Sequence, residues 1–180
     1  MPIQYFTGLS AFTELPNHLQ KMVAKIEDRA GLGIEVERSS NRTMACEFRK
    51  GKAVIRVPAA GPLRKASVFH ELLHLKRHFV DGVPKLVYCD DDHEFEDEND
   101  ARTPEQFQCL DNQIEHLFIV PTELTRYRKE RSYWEERMDK SLDLMRAPCD
   151  VLLAWEFIHR VLNGGTLSDK VQALVEPLSV

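Results

Sequence analysis

The stretch SVFHELLHLKRHF, residues 67–79, decides how this chain is interpreted. Its apolar residues recur at the spacing of an amphipathic helix. Proline and glycine residues punctuate the sequence before it, in PAAGP, and after it, in DGVP, so a helix is predicted from about residue 63 to residue 80. Inside that helix lies HELLH, residues 70–74, which is either a metal site with a built-in base or an ordinary helix with two histidines.

Helical geometry favours the metal site. Residues four apart lie on nearly the same face of a helix, about 6 Å apart along its axis, so His70 and His74 can direct their imidazoles at one ion. Zinc binds imidazole nitrogen, and Glu71 lies one position beyond the first histidine, beside the ion rather than on it. Its carboxylate can take a proton from a water on the metal, so the motif predicts a Zn²⁺ site with Glu71 as the catalytic base.

A catalytic zinc ion needs a third protein ligand and one open position. The best source is CLDNQIEHLFIV, residues 109–120, which predicts a second helix that begins near Thr103 and is ended by Pro121. We expect Glu115 to be the third ligand. The alternatives left open are His116, as a ligand, and Asp111, as a ligand or as a carboxylate that orients an imidazole.

Residues 88–100, YCDDDHEFEDEND, are strongly acidic and predict a solvated loop. Cys89 begins this loop. A thiolate there can occupy the open position of the zinc ion and silence the enzyme, and the alternative is a small side chain that packs like an apolar residue. The other histidines, His78, His93 and His159, are expected to be boundary, solvated and packing residues rather than ligands.

The remaining sequence predicts an α+β fold. TELPNHLQKMVAKIEDRAG predicts a helix over residues 13–30, and three extended segments follow, GIEVER, TMACEFR and AVIRVP. The last two flank KGK as a hairpin, and AVIRVP is expected at the edge of the sheet. Residues 122–145 predict a long helix, with two more helices at 149–162 and 167–176. We therefore expect one domain over residues 1–180, with a core at about 13–125 and a helical extension at about 122–180.

Composition limits the classes of function. The chain has 180 residues and a net charge of −5, which argues against a general nucleic-acid-binding protein. No apolar run approaches the roughly 20 residues that cross a bilayer, and no secretory signal is recognised at the N-terminus, so no membrane partner is expected. Four cysteines without a CxxC pair predict reduced thiols and a cytoplasmic location. RYRKERSYWEER, residues 126–137, predicts a solvated helix face, with contact to a single-stranded nucleic acid activator as the alternative.

HELLH followed by DNQIEHLFIVPTEL resembles the ImmA/IrrE-like metallopeptidases, compact zincin-like enzymes of the gluzincin kind. The similarity covers about residues 13–125. It implies that His70, His74 and Glu115 hold Zn²⁺ and that Glu71 is the base. The sequence departs from the family pattern after Glu115, where His116 and Leu117 replace the usual Ala-Asn.

The resemblance implies regulatory proteolysis. Such a zinc-dependent endopeptidase cleaves a specific protein, a helix-turn-helix transcriptional repressor, and thereby controls a stress operon or a bacterial anti-phage defence operon. The alternative function is a non-catalytic regulator that keeps the zinc fold and binds a partner protein without cutting it.

Overall fold

The structure is a computed structural model, which describes residues 3–41, 43–49, 52–86, 104–145 and 147–179. The chain forms two compact units, Met1–Pro84 and Lys85–Val180. The first contains helices α1 (Ser10–Thr13), α2 (Asn17–Ala30) and α3 (Lys65–Phe79) with strands β1 (Glu35–Ser39), β2 (Ala45–Arg49) and β3 (Lys52–Pro58). The second contains α4 (Pro104–Arg126), α5 (Arg131–Leu142), α6 (Pro148–Arg160) and α7 (Leu167–Val175). The α+β fold class is confirmed, and the single domain over residues 1–180 stays a prediction.

Helix α2 begins four residues later than predicted. Thr13 ends the short helix α1, and Pro16 precedes the first residue of α2. Proline disfavours helical backbone angles at the residue before it, which explains why the long helix begins only at Asn17. At the other end Gly31 has a φ of +68° and donates its N–H to the carbonyl of Glu27, a common helix ending for glycine.

The sheet has the strand order β1-β3-β2. Strand β3 pairs with β2 in antiparallel fashion, which confirms the hairpin, and it pairs with β1 in parallel. The prediction that AVIRVP lies at the sheet edge is wrong, since β3 is the central strand. The sequence explains the position: Ala53, Val54, Ile55 and Val57 are all buried, and a nearly continuous apolar run suits a strand with neighbours on both sides.

Helix α3 packs against α2 on the core side of the first unit. Val68, Leu72 and Leu75 of α3 are completely buried, as are Leu19, Val23 and Ile26 of α2. This apolar stripe recurs every three or four residues and sets the rotation of α3 about its axis. The histidines of HELLH therefore belong to a different stripe of the same helix.

Helix α4 continues through Pro121 to Arg126, so the prediction that Pro121 ends this helix is wrong. Proline removes one backbone hydrogen bond, and the burial of Val120 and Leu124 on either side of it holds the helix in place. The predicted helix over 122–145 is divided, because the backbone leaves helical geometry at Tyr127 before α5 begins.

Helix α6 packs against α4, α5 and α7 in the second unit. The buried core of this unit includes Leu117, Ile119, Val120, Leu124, Trp134, Leu142, Val151, Phe157, Ile158 and Val171. The two C-terminal helices lie within two residues of their predicted bounds. No helix in the described ranges combines the length and the apolar character needed to cross a bilayer.

Candidate metal centre

Helix α3 brings the two histidines of HELLH together. The Nε2 atoms of His70 and His74 lie 3.3 Å apart, and the two rings meet edge to face at 79°. Two imidazole nitrogens bound to one tetrahedral zinc ion at about 2.0–2.1 Å would lie about 3.3–3.4 Å apart. The separation in the structure therefore fits a shared zinc ion, and it also fits one N–H···N hydrogen bond between the two rings.

Burial differs among the three polar residues of the motif. His74 is 4% exposed and Glu71 is 8% exposed, while His70 is half-buried. Charged and polar residues are seldom buried to this degree without a partner or a metal ion. The face of α3 that carries these residues therefore suits a buried polar site better than a solvent-exposed helix surface.

Glu115, the predicted third ligand, is buried and forms an ion pair. Its carboxylate accepts a short hydrogen bond from the ammonium of Lys85. The same ammonium lies 3.1 Å from Asp111, which also accepts the backbone N–H of Leu86 at 3.0 Å. The carboxylates of Asp111 and Glu115 thus share one lysine. Lys85 lies 30 residues before Glu115 and belongs to no motif, so it was not predicted as a site residue.

His116, the next residue of α4, has an aromatic neighbour. Its ring lies 5.0 Å from the ring of Trp134, at an interplanar angle of 66°. The indole N–H of Trp134 donates to the carboxylate of Glu123 at 3.3 Å, and both of those residues are at least 96% buried. Trp134 is therefore held in one orientation, and it limits the rotation of the His116 ring.

The described residues contain one group of three that could hold a metal ion, namely His70, His74 and His116. One ring nitrogen from each histidine lies within 4.8 Å of the others. Three imidazoles and an open position are a known ligand set for catalytic zinc. Glu115 does not belong to this group, and its role as a ligand stays a prediction.

The remaining predicted site residues fall into two classes. His78 packs edge to face against Phe48 and Phe79, with Nδ1 at 3.2 Å from the carbonyl of Val83. His159 packs in the same way against Trp155. The contact of His159 agrees with its expected packing role, and His78, which was expected at the boundary, packs against two aromatic rings. Cys89 and His93 lie outside the described residues, as does the acidic stretch, so the cysteine gate stays a prediction.

The basic and aromatic stretch of residues 126–137 makes contacts within its own unit. Arg137 donates to the hydroxyl of Tyr133 at 3.0 Å and lies over the ring of Trp134. Arg131 donates to the carbonyl of Leu162 at 3.0 Å. These side chains therefore have structural contacts, and the nucleic acid activator stays a prediction.

Comparisons with models of protein families, with curated proteins and with solved structures find no match to this chain.

Proposed function

We propose that this chain is a zinc-dependent endopeptidase in which His70, His74 and His116 hold the metal and Glu71 is the base. The observation that carries the proposal is the 3.3 Å separation of the His70 and His74 Nε2 atoms on the helix that also bears Glu71. The group of three histidines supports His116 rather than Glu115 as the third ligand. Asp111 and Glu115 then serve to hold Lys85.

When bound, zinc would polarise a peptide carbonyl and acidify water. The residues of the chain supply the rest. His74 is buried and His70 is half-buried, and Glu71 follows His70 directly on the same helix, where its carboxylate would accept and return a proton.

The finer proposal concerns the substrate. By its resemblance to ImmA/IrrE-like metallopeptidases, we propose that the chain acts in the cytoplasm on a helix-turn-helix repressor and thereby controls a stress or phage-defence operon. The second candidate function is a zinc-containing regulator that binds such a protein without cutting it. The ion pair of Glu115 with Lys85 favours neither function over the other.

Metal content is the test of the site. We expect about one zinc ion per chain, by mass spectrometry after dialysis against a weak chelator, in the wild type and in Glu115→Ala. His74→Ala and His116→Ala should lose it. His159→Ala, which removes a histidine that packs on Trp155, is the matched control and should keep it. Loss of zinc in Glu115→Ala with retention in His116→Ala would contradict our ligand assignment and restore the predicted one.

Peptide cleavage is the test of the activity. The zinc-loaded wild type is incubated with a degenerate peptide library, and new termini are identified by mass spectrometry. Glu71→Gln should retain zinc and lose cleavage by a factor of about 10²–10⁴, the usual contribution of a general base. Equal cleavage by Glu71→Gln and the wild type would contradict Glu71 as the base, and no cleavage by the zinc-loaded wild type would favour the non-catalytic regulator.

A further inference from the structure

A cavity of about 540 Å³ opens at one edge of the sheet in the first unit. Strands β1 and β3 are parallel and end in register, with Ser39 opposite Pro58. Because their carboxyl ends meet at the same edge, the segments that follow the two strands surround a common space. Ligands of open sheets commonly bind at this end of parallel strands.

The wall of the cavity is held by backbone contacts. Ala59 donates its N–H to the carbonyl of Ser39 at 2.9 Å, and Arg38 donates to the carbonyl of Pro58 at 3.3 Å. Gly61, with a φ of +94°, makes the turn between Pro58 and Pro62. Proline restricts the backbone on both sides of this turn, so the loop presents a preformed surface.

The lining of the cavity is mainly apolar and includes Met44, Ala59, Ala60 and Leu63. Arg64 supplies the charge among the residues that line it. A volume within the usual 300–1,000 Å³ of ligand pockets accommodates an aliphatic side chain together with its flanking backbone. Among the described residues that line the cavity, the guanidinium of Arg64 complements a carboxylate next to that side chain.

One residue of α3 that lines the cavity lies on the same face of the helix as the motif. Ser67 lines the cavity and lies three residues before His70 and four before Glu71. Residues at these spacings are neighbours on one side of a helix, about 5–6 Å apart. A peptide bound in the cavity and extending past Ser67 would therefore come close to the proposed base.

We propose that this cavity is a substrate pocket, which takes a leucine- or methionine-sized side chain of a peptide with an acidic neighbour. The inference rests on the proposed function for its role in cleavage, but binding itself can be measured without cleavage. In this pocket Ala60 forms part of the apolar wall, and Arg64 recognises the acidic residue of the peptide. Both then determine specificity and neither takes part in the chemical step.

Binding is tested by NMR on Glu71→Gln labelled at its methionine methyl groups. Met44 is one of five methionines, and its methyl signal is identified because it disappears from the spectrum of Met44→Leu. The probe is the peptide acetyl-Gly-Asp-Leu-Asp-Gly-amide. We expect a saturable shift of the Met44 signal, binding about 10–100-fold weaker when leucine becomes serine, and binding about two- to fivefold weaker when both aspartates become asparagine.

Matched variants locate the peptide. Ala60→Trp should fill the cavity and abolish the shift, and Arg64→Gln should remove the preference for aspartate over asparagine. Leu144→Trp adds the same large side chain at an exposed position of the second unit and should change nothing. An unmoved Met44 signal, or equal binding to Ala60→Trp and to the parent protein, would overturn the pocket.

Cleavage profiling separates this inference from the proposed function. With wild-type activity on the peptide library, Ala60→Trp should keep its zinc and shift the preferred residue from leucine and methionine to smaller side chains. An unchanged profile overturns the pocket and leaves the peptidase standing. Saturable binding at Met44 without any cleavage by the wild type supports the pocket and contradicts the peptidase.

Discussion

Helices α3 and α4 carry all of the predicted zinc ligands that the structure describes, but they present them in different ways. On α3, His70 and His74 come together by helical geometry alone, with their Nε2 atoms 3.3 Å apart. On α4, the neighbouring residues Glu115 and His116 are both buried, and other parts of the second unit distinguish them. Lys85 pairs with Glu115, and Trp134 packs against His116.

This difference shows which properties of a site are local. A spacing of four residues determines the geometry of two ligands on one helix, whatever surrounds them. The choice between adjacent residues on a second helix depends on what contacts each of them. The carboxylate of Glu115 is paired with the ammonium of Lys85, while the ring of His116 packs against an aromatic neighbour.

Both helices are expected to be anchored by their buried apolar residues. Leu72 of α3 is completely buried and Ile119 of α4 is 1% exposed. We expect Leu72→Ala and Ile119→Ala each to lower the free energy of unfolding by about 2–5 kcal/mol, since both leave a cavity. Urea unfolding followed by circular dichroism measures the loss.

Leu144→Ala is the control for this pair, because Leu144 is 79% exposed. Its effect should stay within about 0.5 kcal/mol. An effect of that small size for Ile119→Ala would mean that α4, unlike α3, is not anchored by its apolar face.

Removal of Lys85 tests the different roles assigned to Glu115 and His116. Lys85→Met removes the ammonium shared by Asp111 and Glu115 and should lower the free energy of unfolding by about 1–3 kcal/mol, because a buried carboxylate loses its charged partner. Zinc content should stay near that of the wild type, since His116 and not Glu115 is the proposed ligand. Chemical unfolding and metal analysis of the same sample give both values.

Lys76→Met is the matched control on α3. Lys76 pairs with Asp81 at 2.6 Å, but both side chains are about a third or more exposed, so the loss should not exceed about 1 kcal/mol. Tighter zinc binding by Lys85→Met would contradict the assignment, because it would mean that Lys85 competes with the metal for Glu115.

The sequence was sufficient for features that depend on short spacings. Helix α3, its HELLH face and the hairpin of β2 and β3 follow from local periodicity and turn residues, and all three are present. The central position of β3 was missed, although its apolar run gave a signal. The continuation of α4 past Pro121 was missed because the burial of its neighbours outweighs the local cost of proline.

The pairing of Lys85 with Glu115 had no signal in the sequence. Thirty residues separate the two, and each is an ordinary helix-surface or loop residue by type. Only the folded second unit brings the ammonium to the carboxylate. The same holds for Trp134, whose contact with His116 depends on how α5 returns after the interruption at Tyr127.

The smallest predicted effect lies at the end of α4 and is a dependence on pH. Burial raises the pKa of Tyr127 above its ordinary value of 10.0, against a smaller opposing effect of Arg126. The folded chain therefore holds this proton more tightly than the unfolded chain does. The stability linked to Tyr127 is fully present below pH 10. It is lost as the pH rises through the pKa of Tyr127 in the unfolded chain and then through its pKa in the folded chain. The stability of each protein is measured by urea unfolding and is expressed relative to its own value at pH 8. On this scale Tyr127→Phe should lose less stability than the wild type between pH 9.5 and 11. Parallel alkaline losses in the two proteins would mean that the phenol is solvated, and that the second unit does not enclose this end of α4 as it encloses Glu115.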